Sequence, residues 1–170
     1  MKKIFLPDYI FNKYNDLTPE FLLNKGIDTL VLDIDNTLVP YEVATPTDEL
    51  YEWFASMDKN GIKIAFVSNN GKQRVELFNE KLSYVAFYKS KKPLLKTIKK
   101  VLKILESGAT TTALMGDQIF TDVLAGNRMG FMTILLPPIK DKTDAFTRFK
   151  RVLERPIVKK YYKRLEKNNE

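Results

Sequence analysis

The stretch TLVLDIDNTLVP, residues 29–40, decides how this chain is read. Thr29 to Leu32 are apolar or β-branched without alternation, the pattern of a strand buried on both faces. Asp33 and Asp35 then follow at its end, with one residue between them. Side chains at i and i+2 of an extended chain share one side, so the two carboxylates crowd each other unless a cation or a proton separates them. Such a pair offers two roles. One carboxylate stays ionised as nucleophile and metal ligand; the other carries a proton that it gives up and takes back.

Outward from this stretch, short apolar runs recur: IKIAFVSNN, YVAFYKS, TTALMGD and FMTILLPP. Between them lie segments of helical spacing: PTDELYEWFASMDKNG, GKQRVELFNEKL, PLLKTIKKVLKILESG and FTDVLAGNRMG. Most open on a capping residue or a proline, and three close on glycine. This βα alternation predicts a three-layer, doubly wound, Rossmann-like parallel sheet with helices on both faces. Ligands of such sheets bind beyond the carboxyl ends of the strands. The polar groups gather there: Asp33 and Asp35 after the first run, Ser68, Asn69 and Asn70 after the second, Lys89 to Lys92 after the third, Asp117 after the fourth. Singly, each has a plainer explanation, Asp122 as a helix cap and Ser68 to Asn70 as a turn. Four such coincidences at one sheet edge are a different matter.

Composition narrows the chemistry. The 170 residues include no histidine and no cysteine. That excludes a histidine-driven serine or cysteine nucleophile, a zinc site built on these ligands, and disulfide or redox roles. What remains is carboxylates, amines, hydroxyls and a hard metal ion held by oxygens. A carboxylate that attacks phosphorus gives an aspartyl-phosphate, and it needs a divalent cation and a lysine to offset repulsion from the phosphate dianion. The segments GDQIFTD and KKP offer candidates for both.

The set DIDNT, VSNN, KKP and GDQIFTD resembles the four motifs of the haloacid dehalogenase (HAD) superfamily of Mg²⁺-dependent phosphatases. LDIDNTLVPY and MGDQIFTDVLAGNRMG look like the YqeG group of its subfamily IIIA, whose eukaryotic relatives include phosphatidylglycerophosphate phosphatases. The resemblance covers residues 26–138 and implies an HAD-like fold and a phosphomonoester substrate. It implies Asp33 as nucleophile and metal ligand, and Asp35 as general acid/base with its carbonyl on the metal. Thr37 would brace the loop at the phosphate site, and Ser68 with the Asn69 amide would hold the phosphoryl group. Lys92 would neutralise charge there; the Lys-Pro match favours it, although Lys91 stays open by one residue. Asp117 would bind Mg²⁺, and Asp122 would complete the metal set by orienting a metal water or the lysine.

Only about 30 residues separate Asp35 from Ser68, and about two dozen separate Ser68 from Lys92. That leaves no room for a substantial cap domain, so the site should be open and suit a phosphate on something large. The chain reads as one domain over 1–170, with its core at 26–138, an N-terminal segment 1–25 expected to be irregular then helical, and a basic helical tail 139–170 interrupted by Pro156. The net charge of +7 is uneven: residues 81–103 carry eight lysines and no acid, and residues 140–170 carry 11 Lys or Arg against five acids. With Phe146, Phe149, Tyr161 and Tyr162 among its cations, the tail could rest on an anionic bilayer, or could equally be a helix packed on the domain with a wet basic face. With no signal peptide and no apolar run long enough to span a bilayer, the expected location is the cytoplasm, with peripheral contact at the inner membrane face. The leading substrate is phosphatidylglycerophosphate. The alternatives are a non-catalytic Mg²⁺-binding module for RNA or a ribosome-assembly partner, against which stand Asp35 and the lack of an RNP or KH signature, and a phosphorylated receiver domain, against which stands the order of the motifs.

Overall fold

The computed structural model describes residues 4–140 and 145–168. Its elements in chain order are β1 (Tyr9–Ile10), α1 (Pro19–Asn24), β2 (Thr29–Leu32), α2 (Asp48–Lys59), β3 (Lys63–Val67), α3 (Lys72–Asn79), β4 (Val85–Phe87), α4 (Lys96–Leu105), β5 (Thr112–Gly116), α5 (Leu124–Met129), β6 (Met132–Leu135) and α6 (Ala145–Asn168). All five apolar runs are strands. They form a single parallel sheet in the order β1-β6-β5-β2-β3-β4. The chain winds outward from β2 through β3 to β4, then returns to lay β5 on the other side of β2. Strand order therefore reverses between β2 and β5, where a crevice opens beyond the strand ends.

The lack of alternation in β2 has its cause in the two helical layers. Leu30 and Leu32 face one core with Phe54, Phe66 and Phe78. Val31 faces the other, with Ile98, Val101, Leu114 and Phe131. Every residue of β2 is buried. α2 presents Leu50, Trp53, Phe54 and Met57 to the first core at i, i+3, i+4 and i+7, and opens on Thr47, whose hydroxyl accepts the Leu50 amide at 3.3 Å. Phe54, Phe66 and Phe78 stack edge to face in series, with ring centroids 5.7 and 5.4 Å apart.

Three local departures from the sequence reading have physical reasons. The N-terminal segment adds β1, a two-residue edge strand too short for period-2 patterning to reveal. Asp8 holds it in place by accepting hydrogen bonds from the Thr133 amide and hydroxyl. α4 ends on Glu106 in the left-handed conformation (φ 51°), two residues before the expected Gly108. α6 runs through Pro156 instead of breaking there. The proline removes the amide that would reach the Val152 carbonyl, but both residues are exposed, so water can take up that carbonyl. No inserted domain stands between β2 and β3 or between β3 and β4, so the sheet edge carries no cap.

Candidate functional site

β2 and β5 flank the crevice, and each delivers an aspartate to it at its carboxyl end. Asp33 follows β2 and Asp117 follows β5, both buried. After Asp117 the chain makes one π-helical turn, Ile119–Val123, before α5 begins. The wider turn places Asp122 beside Gly116, where a Cβ would collide with the Asp122 carboxylate. Oxygens of Asp33, Asp117 and Asp122 lie within 4.8 Å of one another.

A cation already stands among these acids. The Lys92 ammonium donates to Asp33 Oδ1 at 2.9 Å and pairs with Asp122 Oδ1 at 2.7 Å, with only 2% of its side chain exposed. Lys91, the neighbouring candidate, is exposed. Burial lowers the ammonium's pKa, but Asp122 and Asp33 outweigh it and hold Lys92 above the usual lysine value. Asp33 moves the other way. Burial raises its pKa, Lys92 opposes, Asp122 and Asp117 add to the rise, and the carboxyl is pushed up to about 7.

Asp122 is engaged at both oxygens, Oδ1 by Lys92 and Oδ2 by the Gln118 amide at 3.1 Å. Asp33, Asp117 and Asp122 together could hold a hard divalent cation, and Asp122 also fixes the lysine beside them. The donor set fits such an ion: oxygen-only, anionic and clustered.

Asp35 points elsewhere. Its carboxylate lies outside the acidic trio, with Oδ1 accepting from Arg74 Nε and Oδ2 from Asn70 Nδ2, both at 2.9 Å. Asn36, between this pair and Thr37, takes a left-handed φ of 60° that turns the chain back on itself, and a bridge between Asp35 and Val39 closes the loop. Thr37 is buried, and its hydroxyl has no hydrogen-bond partner among the described residues.

Ser68 directly follows β3, in a turn in which its hydroxyl accepts the Asn70 amide at 3.0 Å. Asn69 reaches across to the loop after β4. Its Oδ1 accepts the Lys92 amide at 2.7 Å and the Ser90 hydroxyl at 3.0 Å, while its Nδ2 donates to the Lys92 carbonyl at 3.2 Å. The second and third sequence motifs are thus stitched together through one amide side chain. All the sequence-derived residues come to the same sheet edge, with the Asp35 carboxylate turned toward the β3 side.

Sequence reasoning missed two contributors. Arg74 sits in the first turn of α3, six residues after Ser68, where a lone cation reads as solvated surface. Glu154, on α6, is buried, and its Oε1 accepts the Ile119 amide at 2.9 Å, capping the turn that carries Asp122. No pattern in the tail marked it. The tail also departs from a bilayer-resting helix at Tyr161, which is buried and accepts the Ile10 amide on its hydroxyl at 3.2 Å. Tyr162 is half exposed, and the side chains of Phe146 and Phe149 lie outside the described residues.

With this geometry, comparison with known proteins is direct. A family model described as mitochondrial PGP phosphatase matches residues 1–140. The chain is 40% identical over 158 residues to the probable phosphatase YqeG of Bacillus subtilis (strain 168), covering 93% of this chain and 92% of that protein. It is 29% identical over 156 residues to phosphatidylglycerophosphate phosphatase 1, chloroplastic/mitochondrial, of Arabidopsis thaliana, covering 85% of this chain and 44% of that one. Among solved structures, the 3-deoxy-D-manno-octulosonate 8-phosphate phosphatase of Moraxella catarrhalis, in complex with magnesium, phosphate and KDO, shares the fold. Its TM-score is 0.52 at 15% identity, over 82% of this chain and 92% of that chain.

Proposed function

The chain belongs to the PGP phosphatase family of the HAD superfamily and is a phosphoric monoester hydrolase, and from that premise we propose that it removes the terminal phosphate of phosphatidylglycerophosphate by a Mg²⁺-dependent aspartyl-phosphate mechanism. The observation that carries the mechanism is the setting of Asp33: a buried carboxylate at the reversal of strand order, in contact with Lys92 and beside two further acids. Asp33 and Asp117 would hold the Mg²⁺, with the Asp35 carbonyl and, through its hold on Lys92, Asp122 completing the set. When bound, the ion supplies positive charge that offsets the repulsion between these carboxylates and a phosphate dianion.

An Asp33 oxygen attacks phosphorus, and the bond from phosphorus to the ester oxygen breaks. Asp35 gives its proton to the departing alcohol. Asp35, now a carboxylate, takes a proton from water as that water attacks the phosphorus of the acyl phosphate; the bond to Asp33 breaks and inorganic phosphate leaves. Ser68 and the Asn69 amide bind the phosphoryl oxygens, as does the Thr37 hydroxyl. Lys92 neutralises charge between Asp33 and the phosphate. Asp35 reaches the ester by leaving Arg74 or Asn70, so the observed pose is a resting one.

The lipid assignment draws on the family, on the 29%-identical relative's name and on the uncapped sheet edge. No helix among the described residues is long and apolar enough to cross a membrane; with a lipid substrate, the protein would act at a membrane surface. The test is phosphate release with Mg²⁺ from phosphatidylglycerophosphate, set beside sugar and nucleotide monophosphates. The lipid should be preferred by roughly a hundredfold or more in kcat/KM, and all release should stop with a chelator. If the lipid stays intact while the small esters are cleaved, the assignment fails.

A further inference from the structure

Asp117 and Asp122 are joined through the π-helical turn Ile119–Val123, in which the Val123 amide donates to the Gln118 carbonyl at 3.3 Å. Such turns are rare and less favourable than α-helical ones, so one that persists needs support from its surroundings. Tightening it by one residue would rotate Asp122 about the turn axis by roughly 100° and take its carboxylate off Lys92 and the Gln118 amide. The support comes from α6, which contributes none of the four sequence motifs. Glu154, Ile157, Val158 and Tyr161 form one stripe of that helix, at i, i+3, i+4 and i+7. Ile157 and Val158 pack against the cluster of Ile119, Val123 and Leu135, which includes the first and last residues of the turn. Glu154 is buried and accepts the Ile119 amide at 2.9 Å. That amide opens the turn, where no carbonyl of the turn itself can take it.

We infer that Glu154 is a positioning residue for the cation site: from α6 it holds this turn in its wide form, and so sets Asp117 and Asp122 against Asp33 before an ion binds. The inference rests on the reading that these three acids hold Mg²⁺, and on nothing about the substrate. Oxygens of the three lie within 4.8 Å of one another, so they repel, and the segment that carries two of them has to be fixed against that repulsion. The Lys92 ammonium holds the end of the Asp122 side chain but not the backbone beneath it. The bond from the Gln118 amide to Asp122 runs within the segment and cannot fix it to the rest of the protein. Glu154 can, because its helix is anchored independently seven residues on, where the Tyr161 hydroxyl accepts the Ile10 amide. A site assembled in advance spares a cation the ordering of its ligands, whereas in a loose site that ordering subtracts from the affinity. With an ion in place, the turn is ordered by its own ligands. Loss of the Glu154 tie should therefore be felt in Mg²⁺ affinity and hardly in turnover of the loaded enzyme.

The test uses the full chain, calorimetric titration with Mg²⁺, hydrogen exchange at the Ile119 amide without metal, and turnover of p-nitrophenyl phosphate against Mg²⁺ concentration. Glu154→Met removes the acceptor and keeps the length. It should weaken Mg²⁺ binding roughly tenfold, raise the Mg²⁺ needed for half-maximal turnover by the same factor, leave kcat at saturating Mg²⁺ near wild type, and speed exchange at Ile119. Glu154→Gln keeps an oxygen acceptor and should restore both the affinity and the protection. Tyr161→Phe cuts the other tie of the same helix and should lower thermal stability without moving the affinity. If Glu154→Met does not fold, Glu154→Asp takes its place, keeping the charge and shortening the reach, and should still weaken binding several-fold. Wild-type affinity in the Met or Asp variant overturns the inference. So does a Gln variant as weak as Met, which would make the charge the cause, and so does an equal loss in Tyr161→Phe, which would make it helix docking at large. Wild-type protein that binds Mg²⁺ but spares the lipid, with the Glu154 variants weakened as stated, supports this inference and removes only the substrate assignment. Wild-type protein that binds no Mg²⁺ removes the metal reading and this inference with it.

Discussion

Asp33 and Asp35 leave the same strand one residue apart and meet opposite surroundings. Asp33 faces the β5 side, where Lys92 touches it, two further acids crowd it, and burial pushes its pKa up to about 7. Asp35 faces the β3 side, outside the acidic trio, where Arg74 and Asn70 hold its two oxygens. What differs is what the neighbouring strands bring: β5 supplies negative charge beside Asp33, and the start of α3 supplies a cation beside Asp35. A carboxylate's task is set less by its place in DIDNT than by which side of the strand reversal it looks toward.

The sharpest way to break this comparison is to neutralise each acid in turn. Asp33→Asn should lower turnover of p-nitrophenyl phosphate by roughly 10⁴ or more, because no other group in contact with Lys92 is placed to form the phosphoenzyme. Asp35→Asn should lower steady-state turnover by roughly 10²–10⁴, and in a different way. Nitrophenolate leaves without needing a proton, so the first half-reaction survives and the second stalls. Rapid-quench measurements should show a burst of one nitrophenolate per site in Asp35→Asn and none in Asp33→Asn. Bursts in both variants, or in neither, would mean that the two acids do not divide the labour this way.

Much of this was legible in the sequence, and the parts that were not share a cause. The apolar runs are clearest at β2, β3 and β5, whose residues are buried on both faces apart from Lys63, whereas β4 at the sheet edge is only partly buried. The meeting of Asp33, Lys92 and Asp117 followed from the rule that strand ends share an edge. Arg74 and Glu154 escaped because each acts from a helix, where a charged residue reads as solvated surface unless its partner is known. β1 escaped because two residues carry no period. The run through Pro156 escaped because proline argues against a helix locally, whereas the anchors at Glu154 and Tyr161 hold it on either side.

The comparison can be sharpened through protons. In the metal-free protein Asp33 titrates near 7, above its ordinary 3.8. Between those values the folded state binds more protons than the unfolded chain, so the stability of the metal-free protein should fall as pH rises through that window. A cation needs the carboxylate ionised, so Mg²⁺ affinity should rise about tenfold per pH unit below 7 and level off above it. Calorimetry in two buffers of different ionisation heat should find about one proton released on Mg²⁺ binding at pH 6 and almost none at pH 8. Asp33→Asn should abolish this release, and Asp35→Asn should preserve it. Equal release at the two pH values would show that some other group carries the linkage.

The smallest expected effect concerns what holds Asp35. Arg74 donates through Nε to Asp35 and through Nη1 to the Ala44 carbonyl at 2.8 Å, so it fixes the acid against the loop that follows β2. Replacing it by methionine keeps much of the aliphatic packing on Phe78, over which the guanidinium lies at 5.5 Å, and removes only the donors. A charge-assisted hydrogen bond of this kind contributes about 1.5–3 kcal/mol, but Asp35 gives up part of it whenever it turns to the ester. Arg74→Met should therefore cost roughly tenfold or less. The loss should be concentrated on alkyl phosphates, whose departing oxygen needs the Asp35 proton, and nearly absent with p-nitrophenyl phosphate. An equal loss on both would place Arg74 on the phosphate itself, and the two sides of the strand reversal would then share one task instead of dividing it.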